Sequence, residues 1–464
     1  MNETYDFVVI GGGSAGYAAA STASRLGLRV AVVEGGAEVG GLCILRGCMP
    51  SKALLETAHR AEVIRDAARF GLNAEYRGAD GVAIQERTRG LVREFADYRR
   101  EQLESGRFTF LRARARFLGA HDLELELLEG GVRRISGRAI LLATGSRRKE
   151  VDVPGLRESG AWGSDEVLGS AEIPGSVVVL GGGAVAVELA SYYAGFGCRV
   201  SLVQRGPRLL GALDPEVGAA LEEGLNRRGV KVFCGTTLRR VERAGAGCRV
   251  VFSRGSVEHT VEADQLVEAL GREPALEGLG LENAGFPAGT SRLEVGPTQQ
   301  TEVPHLFAAG DVCGTADVVH VAVQQGELAA RNAVAWLSGA GDLEKMDRRL
   351  ALYAVFSRPE VASVGLTERE AAARGLEVDT AMHPFADHGR AMVAGELDGF
   401  VKLIVDRRTR EILGASVVGA HASELVQEMV LAIHFRARAG DVAGLPHYHP
   451  TFGEIWTYPA EALA

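Results

Sequence analysis

One pattern is written twice in this chain, and it sets most of what the chain can fold into. Residues 5–34 read YDFVVIGGGSAGYAAASTASRLGLRVAVVE, and residues 175–205 read GSVVVLGGGAVAVELASYYAGFGCRVSLVQR. A constant offset of 170 aligns Gly11 with Gly181, Gly13 with Gly183, Gly16 with Ala186, Gly27 with Gly197, Arg29 with Arg199 and Glu34 with Gln204. Each copy reads as an apolar strand, a glycine-rich turn, an alanine-rich helix and a second strand, which is the β-α-β unit that holds dinucleotides. The first glycine permits the tight turn, the second lets a pyrophosphate approach bare backbone, and the third position lets helix and strand pack closely. The helix N-terminus then offers unpaired N–H groups and a positive dipole to phosphates. Glu34 ends the second strand of the first copy, where a carboxylate accepts hydrogen bonds from ribose hydroxyls. A lone glycine fingerprint is weak. Two in the same context imply two dinucleotide sites.

A chain of 464 residues exceeds one hydrophobic core, so about three domains are expected. The 60 glycines follow no Gly-X-Y period and point to many tight turns. A net charge of -9 argues against a nucleic-acid partner, and Arg112–Arg116 alternates Arg with Ala like one exposed strand face. No run of about 18 apolar residues is present, so no membrane span is expected. The N-terminus has no export signal, which leads to a cytoplasmic expectation. From about residue 347 the pattern changes to strands at Val361–Gly365, Val401–Val405 and Ile412–Gly419, a helix-like stretch at Ser423–Arg436 and a terminal segment after Pro446. This reads as a separate α+β domain.

Of six cysteines, at 43, 48, 198, 234, 248 and 313, only Cys43 and Cys48 cluster, in GGLCILRGCMPSK at 40–52. The other four read as small apolar core residues. One local pair in a long chain points to redox or metal chemistry, not a structural disulfide framework. Five residues of undistorted helix rise about 7.5 Å, beyond the ~7 Å reach of bridged Cα atoms. If the two bond, the backbone must bend, and Gly47 is the place for it. A helix start with Arg46 or Lys52 nearby would favour a thiolate. A metal would need further Cys or His at ligand spacing, and none is expected. Near the C-terminus stand His447 and His449, and spacing alone does not choose between them as an acid/base.

The chain resembles the pyridine nucleotide–disulfide oxidoreductases, the family of dihydrolipoamide dehydrogenase, glutathione reductase and mercuric reductase. The likeness runs through the first fingerprint with Glu34, the double-cysteine segment, ILLATGS at 140–146, the second fingerprint, LFAAGD at 306–311, the pattern around Val361–Glu368, and HPTFGE at 449–454. It implies an α/β fold with two Rossmann-like dinucleotide-binding domains plus a C-terminal α+β dimerisation domain. The expected segments are 1–150 and 274–346 for FAD, 151–273 for NAD(P), and 347–464 for the interface. Cys48 would be the flavin-side sulfur and Cys43 the interchange sulfur. Lys52 would pair with Glu188 near the flavin, and Thr144, Gly145 and Asp311 would help hold FAD. His449 would be the acid/base for the exchanging thiol, with Glu454 orienting it. Further candidate cofactor contacts are Ser14, Ala15, Gly41, Lys52, Ala115 and Gly271. In this family the base enters the other subunit's active site, so a homodimer is implied.

Thiol–disulfide exchange needs a thiolate attacker and a stabilised leaving thiolate. An imidazole titrates near neutral pH and can serve both directions, and a carboxylate on its other nitrogen fixes its tautomer. The second copy ends in Gln204–Arg205 where NAD-binding relatives carry Glu. A carboxylate there would repel a 2′-phosphate, whereas Arg205 can pair with one. With Ala186 at the third glycine position, this points to NADPH over NADH. The terminal EIWTYPAEALA lacks the extra cysteine pair of mercuric reductase. Leu45–Arg46 replaces a frequent Asn–Val pair, and Trp456 and Tyr458 read as substrate-mouth or packing residues. The expected substrate is a small-molecule or protein-bound dithiol or disulfide, with dihydrolipoamide and other disulfides as rivals. Direct reduction of oxygen, a quinone or another nicotinamide with idle cysteines, and a non-enzymatic flavoprotein subunit, are the competing classes.

Overall fold

The computed structural model describes residues 3–314 and 317–464. Residues 1–2 and 315–316, inside the expected first and third segments, lie outside the described residues. The chain divides into two compact units. One comprises Met1–Ser51, Glu86–Lys149 and Arg272–Asp347, and the other Lys52–Gln85, Glu150–Gly271 and Arg348–Ala464.

The first unit is built on a parallel run of strands in the order Thr109–Phe117, Val30–Glu34, Glu3–Ile10, Val132–Leu142, Leu306–Ala308. Asp122–Leu127 runs antiparallel to the far half of Thr109–Phe117 and to the near half of Val132–Leu142. Phe7, Val9, Val30, Val32 and Leu141 are buried in one apolar cluster, and Val8, Ala31, Val33 and Ile140 in another. Both faces are covered, so the strands read as continuous apolar runs, not alternating ones. Helix Ser14–Arg25 packs on helix Val319–Leu337 so closely that a Cβ on Gly326 would lie 2.2 Å from the Ala15 carbonyl oxygen.

The second unit carries the second copy. Its parallel sheet runs Gln265–Glu268, Ser176–Leu180, Arg199–Val203, Lys231–Phe233, with helix Ala184–Gly195 between its two central strands in sequence. A three-stranded antiparallel sheet, Thr236–Ala244, Gly247–Arg254 and Val257–Ala263, follows in the chain. The C-terminal part is a five-stranded antiparallel sheet in the order Leu352–Val355, Glu360–Gly365, Ile412–Gly419, Phe400–Asp406, Val378–Pro384. Helix Ala422–His434 lays Val426, Met429 and Ile433 against it. The three strands and the helix expected from the sequence beyond residue 347 are all present.

The two copies differ at the third glycine. A Cβ on Gly16 would lie 1.8 Å from the Gly11 carbonyl oxygen. Ala186 already carries that methyl, fully buried, so the second helix stands far enough from its turn to admit it. Arg114 and Arg116 are exposed and Ala113 is buried, as the Arg/Ala alternation implies. Cys234, Cys248 and Cys313 are core residues, whereas Cys198 is only half-buried. Burial pushes the thiols of Cys198 and Cys234 up to about 11 and that of Cys313 to about 12, which leaves them protonated and inert. Among the described residues no helix is long and apolar enough to cross a membrane.

Candidate active site

In the first unit the turn after Glu3–Ile10 is made of bare backbone. Gly11 has φ +108, and a Cβ there would lie 2.3 Å from the Ala143 carbonyl oxygen. Gly13 caps helix Ser14–Arg25 with no side-chain acceptor, so the first-turn N–H groups around Ser14 and the buried Ala15 stay open to an anion. Gly41, φ +74, comes so near that its Cβ would fall 2.6 Å from the Cα of Gly13. Glu34 is held from both sides: Gly12 N–H donates to Oε2 at 2.8 Å and Gly36 N–H to Oε1 at 2.6 Å. Its carboxylate is thus aimed before any ribose arrives.

Thr144 and Gly145 follow the strand Val132–Leu142. The Thr144 hydroxyl is buried with no partner among the described residues, and Gly145 has φ +73. Asp311 accepts from the Ser146 hydroxyl at 2.7 Å, and Arg272 Nε donates to that hydroxyl at 2.8 Å. Ala115 sits beyond the last pairing of Val30–Glu34, where Glu34 faces Arg112, and pairs across with Leu125. A glycine cradle, open helix N–H groups, an orphan buried hydroxyl and a fixed carboxylate suit the pyrophosphate and ribose of FAD.

In the second copy Gly181 has φ +126 and Gly183 caps helix Ala184–Gly195, again without a side-chain acceptor. Gly271 has φ +113. The Gln204 amide folds over Gly182, where a Cβ would meet Gln204 Cδ at 2.6 Å. Arg205 is exposed. Arg208, which sequence reasoning missed, is half-buried, and its Nε is buried without a partner among the described residues. A second basic residue five positions past the strand end was the available signal.

The cysteine segment bends beside Cys48. Helix Gly41–Arg46 carries Cys43 and ends at Gly47, with φ -134 and ψ -115, and helix Cys48–Arg65 starts at the next residue. Gly47 lies against Cys43, since a Cβ on it would be 3.1 Å from the Cys43 Cα and 2.9 Å from the Leu42 carbonyl oxygen. Both cysteines are half-buried. Arg46 is drawn to Glu38, at 2.6 Å.

In the second unit Lys52 meets Glu188: Nζ donates to both carboxylate oxygens at 2.9 Å. The two C-terminal histidines go to different carboxylates. His449 Nδ1 donates to Glu454 Oε2 at 2.9 Å, while His447 Nε2 pairs with Glu428 Oε1 at 2.9 Å. Because an ionised carboxylate only accepts, the first bond fixes the His449 tautomer and leaves Nε2 for proton exchange. The His449 side chain is 78% exposed and Glu454 is buried. Trp456 is fully buried and donates to the Leu425 carbonyl at 3.0 Å, so it is a packing residue, whereas Tyr458 is partly exposed and stacks on His383. Sequence reasoning also missed His388, whose Nε2 lies 3.4 Å from Glu454 Oε1.

The family model described as pyridine nucleotide-disulphide oxidoreductase matches residues 5–326, and that of the family's dimerisation domain matches residues 352–460. The chain is 34% identical to the dihydrolipoyl dehydrogenase of Chlamydia muridarum, covering 99% of this chain and 97% of that one. It is 35% identical to the dihydrolipoyl dehydrogenase of Thermus scotoductus, covering 99% and 98%. Among solved structures it is similar to the Cu(II) complex of a HOCl-induced flavoprotein disulfide reductase from Escherichia coli, at 27% identity and a TM-score of 0.86 over 100% of both chains. It is also similar to LpdA from Mycobacterium tuberculosis, at 26% identity and a TM-score of 0.87 over 100% of both. Two nucleotide folds, a bent cysteine pair and a C-terminal interface domain in this order place the chain, an oxidoreductase, in the pyridine nucleotide-disulphide oxidoreductase family.

Proposed function

We propose that this chain, as a homodimer, reduces a disulfide or oxidises a dithiol through Cys43 and Cys48, with FAD in the first unit and NADPH as the preferred nicotinamide in the second. Bound FAD would carry the hydride equivalents between nicotinamide and cysteines. In the reducing direction the Cys43–Cys48 disulfide takes two electrons and becomes a dithiol. The Cys43 thiolate attacks one sulfur of the substrate disulfide, forming a mixed disulfide and expelling the first thiolate, which takes a proton from His449. Cys48 then attacks Cys43, which breaks the mixed disulfide, releases the second thiol and restores the Cys43–Cys48 bond. The other direction reverses each step.

The observation that carries this reading is the 2.9 Å bond from His449 Nδ1 to Glu454. A flavoprotein that passes hydride to oxygen or a quinone has no need of an oriented imidazole for thiols. Oxidation of dihydrolipoamide with NAD⁺ is the second reading, favoured by the names of the relatives. Gln204 and Arg205 weigh against its nicotinamide. Anaerobic titration with NADPH is the test. A long-wavelength absorption band at two-electron reduction is expected, and it should vanish in Cys48→Ser. No band, or a band that survives that substitution, would defeat the disulfide mechanism. A panel of disulfides and dithiols with each nicotinamide then identifies the substrate.

A further inference from the structure

Glu454 stands between two imidazoles. Oε2 accepts from His449 at 2.9 Å and Oε1 lies 3.4 Å from His388 Nε2. Their surroundings are opposite: the His449 side chain is 78% exposed and that of His388 is 0% exposed. His388 precedes the short helix Gly389–Ala394, and the rings of Phe452 and Tyr458 wall it in at 6.3 and 6.1 Å. Neither ring nitrogen of His388 makes a hydrogen bond among the described residues, and the approach of Nε2 to Glu454 is a contact at ion-pair distance.

The ionisable groups around His388 are Glu454, His449, His383 and Tyr458, with Asp387 beside it in the chain and Arg390 over the Phe452 ring. Burial holds the His388 imidazole below the ordinary histidine range. The Glu454 charge pulls it up, and His383 and His449 push it further down. The ring is therefore neutral at neutral pH, with one N–H to give. Glu454 is the acceptor within reach, so that hydrogen sits on Nε2. At 3.4 Å the contact is not yet a formed hydrogen bond, and such contacts are often long or poorly aligned before substrate binds.

We propose that His388 is a positioning residue for the thiol base: its Nε2–H holds Oε1 of Glu454, so that Oε2 stays aimed at His449 and the carboxylate divides its charge between two imidazoles. This rests on the reading of His449 as the base. Without the His388 donor, a buried carboxylate oxygen loses its partner and the undivided charge falls on His449, which then keeps its proton to higher pH.

The test is the rate at which iodoacetamide alkylates Cys43 in the NADPH-reduced holoenzyme, measured against pH; it needs no disulfide substrate. The inflection due to the base is the one that disappears in His449→Gln. In His388→Leu, which removes the donor, that inflection should move up by about half a pH unit or more. In His388→Asn, whose amide N–H can replace the donor, it should stay where the wild type has it. A Leu profile that superimposes on the wild type, or an Asn profile displaced as far as Leu, overturns the proposal. His388→Ala serves as the donor-free variant if the Leu protein does not hold FAD. A wild type with no His449-dependent inflection would show instead that the base reading itself is wrong.

Discussion

Lys52 and Glu188, 136 residues apart in the chain, form a two-pronged ion pair, with Nζ donating to both carboxylate oxygens at 2.9 Å. Glu188 is 6% exposed and also accepts from the Phe356 N–H at 2.9 Å. The Lys52 ammonium lies 4.7 Å from the Phe356 ring centroid. Removing the cation strands a buried carboxylate, a loss on the order of 3 kcal/mol. Lys52→Met should therefore lower the thermal midpoint by several degrees, and Lys52→Met with Glu188→Gln should recover part of it. Stopped-flow bleaching of the flavin by NADPH should be slower in each single variant; unchanged rates would separate the pair from hydride acceptance.

Nicotinamide choice is expected to follow the end of the strand Arg199–Val203. Gln204 is folded over Gly182 and Arg205 is exposed, so the second copy presents a neutral amide where the first presents Glu34, with a cation at the next residue. Arg205→Leu should lower kcat/KM for NADPH by about tenfold to a hundredfold, equivalent to one charge-assisted phosphate contact, and leave NADH nearly unchanged. Gln204→Glu should shift the ratio the same way. Steady-state kinetics with both nucleotides decides it, and a wild type that prefers NADH would end the argument.

The third glycine should be intolerant in one copy and permissive in the other. Gly16→Ala places a methyl 1.8 Å from the Gly11 carbonyl oxygen, so the helix must shift away from its turn. The flavin-to-protein ratio of the purified variant should fall well below that of the wild type. Ala186→Gly should bind nicotinamide normally and cost about 1 kcal/mol in stability, the usual difference between these residues inside a helix.

A buried lysine gives a pH signature. Lys402, 1% exposed, donates to Asp214 at 2.9 Å and is also bonded to Glu216 and Glu368. The three carboxylates are near enough to one another to hold a cation, and the ammonium already fills the place. Burial would lower the Lys402 value, but its bonds to Glu216, Glu368 and Asp214 outweigh burial and raise it. Burial likewise opposes ionisation of Glu216, and the Lys402 bond overrides it and lowers that carboxyl. A raised ammonium stabilises the fold fully below its unfolded value of about 10.4 and less as pH climbs through the folded value. A lowered carboxyl stabilises above about 4.3 and less as pH falls through its folded value. Lys402→Met should thus cost about 3–5 kcal/mol near neutral pH. The gap in thermal midpoint between wild type and variant should narrow at both ends of the pH range.

What the sequence made legible was whatever repeats or sits close along the chain. The two strand-turn-helix runs and the bend at Gly47 are local, and local spacing encodes them, whereas spacing left His447 and His449 equivalent until their separate carboxylates, Glu428 and Glu454, told them apart. Lys402 was not legible, because its partner Asp214 is 188 residues away and a lone charge in a strand reads as solvated. His388 was hidden for a related reason: it stands in a short turn after Phe385–Asp387, and nothing nearby in sequence marks it as a neighbour of Glu454. Arg208 lay within sight of the strand end, but one basic residue beside another carries little weight until its Nε is found buried.

The strand Leu306–Ala308 and the helix Val319–Leu337 complete a sheet whose central strand is Glu3–Ile10. On the ribosome, the first unit therefore begins first and closes late. Until Leu337 has emerged, Val132–Leu142 keeps an open parallel edge and Ser14–Arg25 lacks the helix that seats Gly326 against Ala15. The whole of Glu150–Gly271 is synthesised in the interval, with its own sheet closed by Gln265–Glu268. A nascent chain arrested near residue 320 should already protect the later-made nucleotide fold from protease while leaving the earlier one cleavable, the reverse of the usual order in which N-terminal domains mature first.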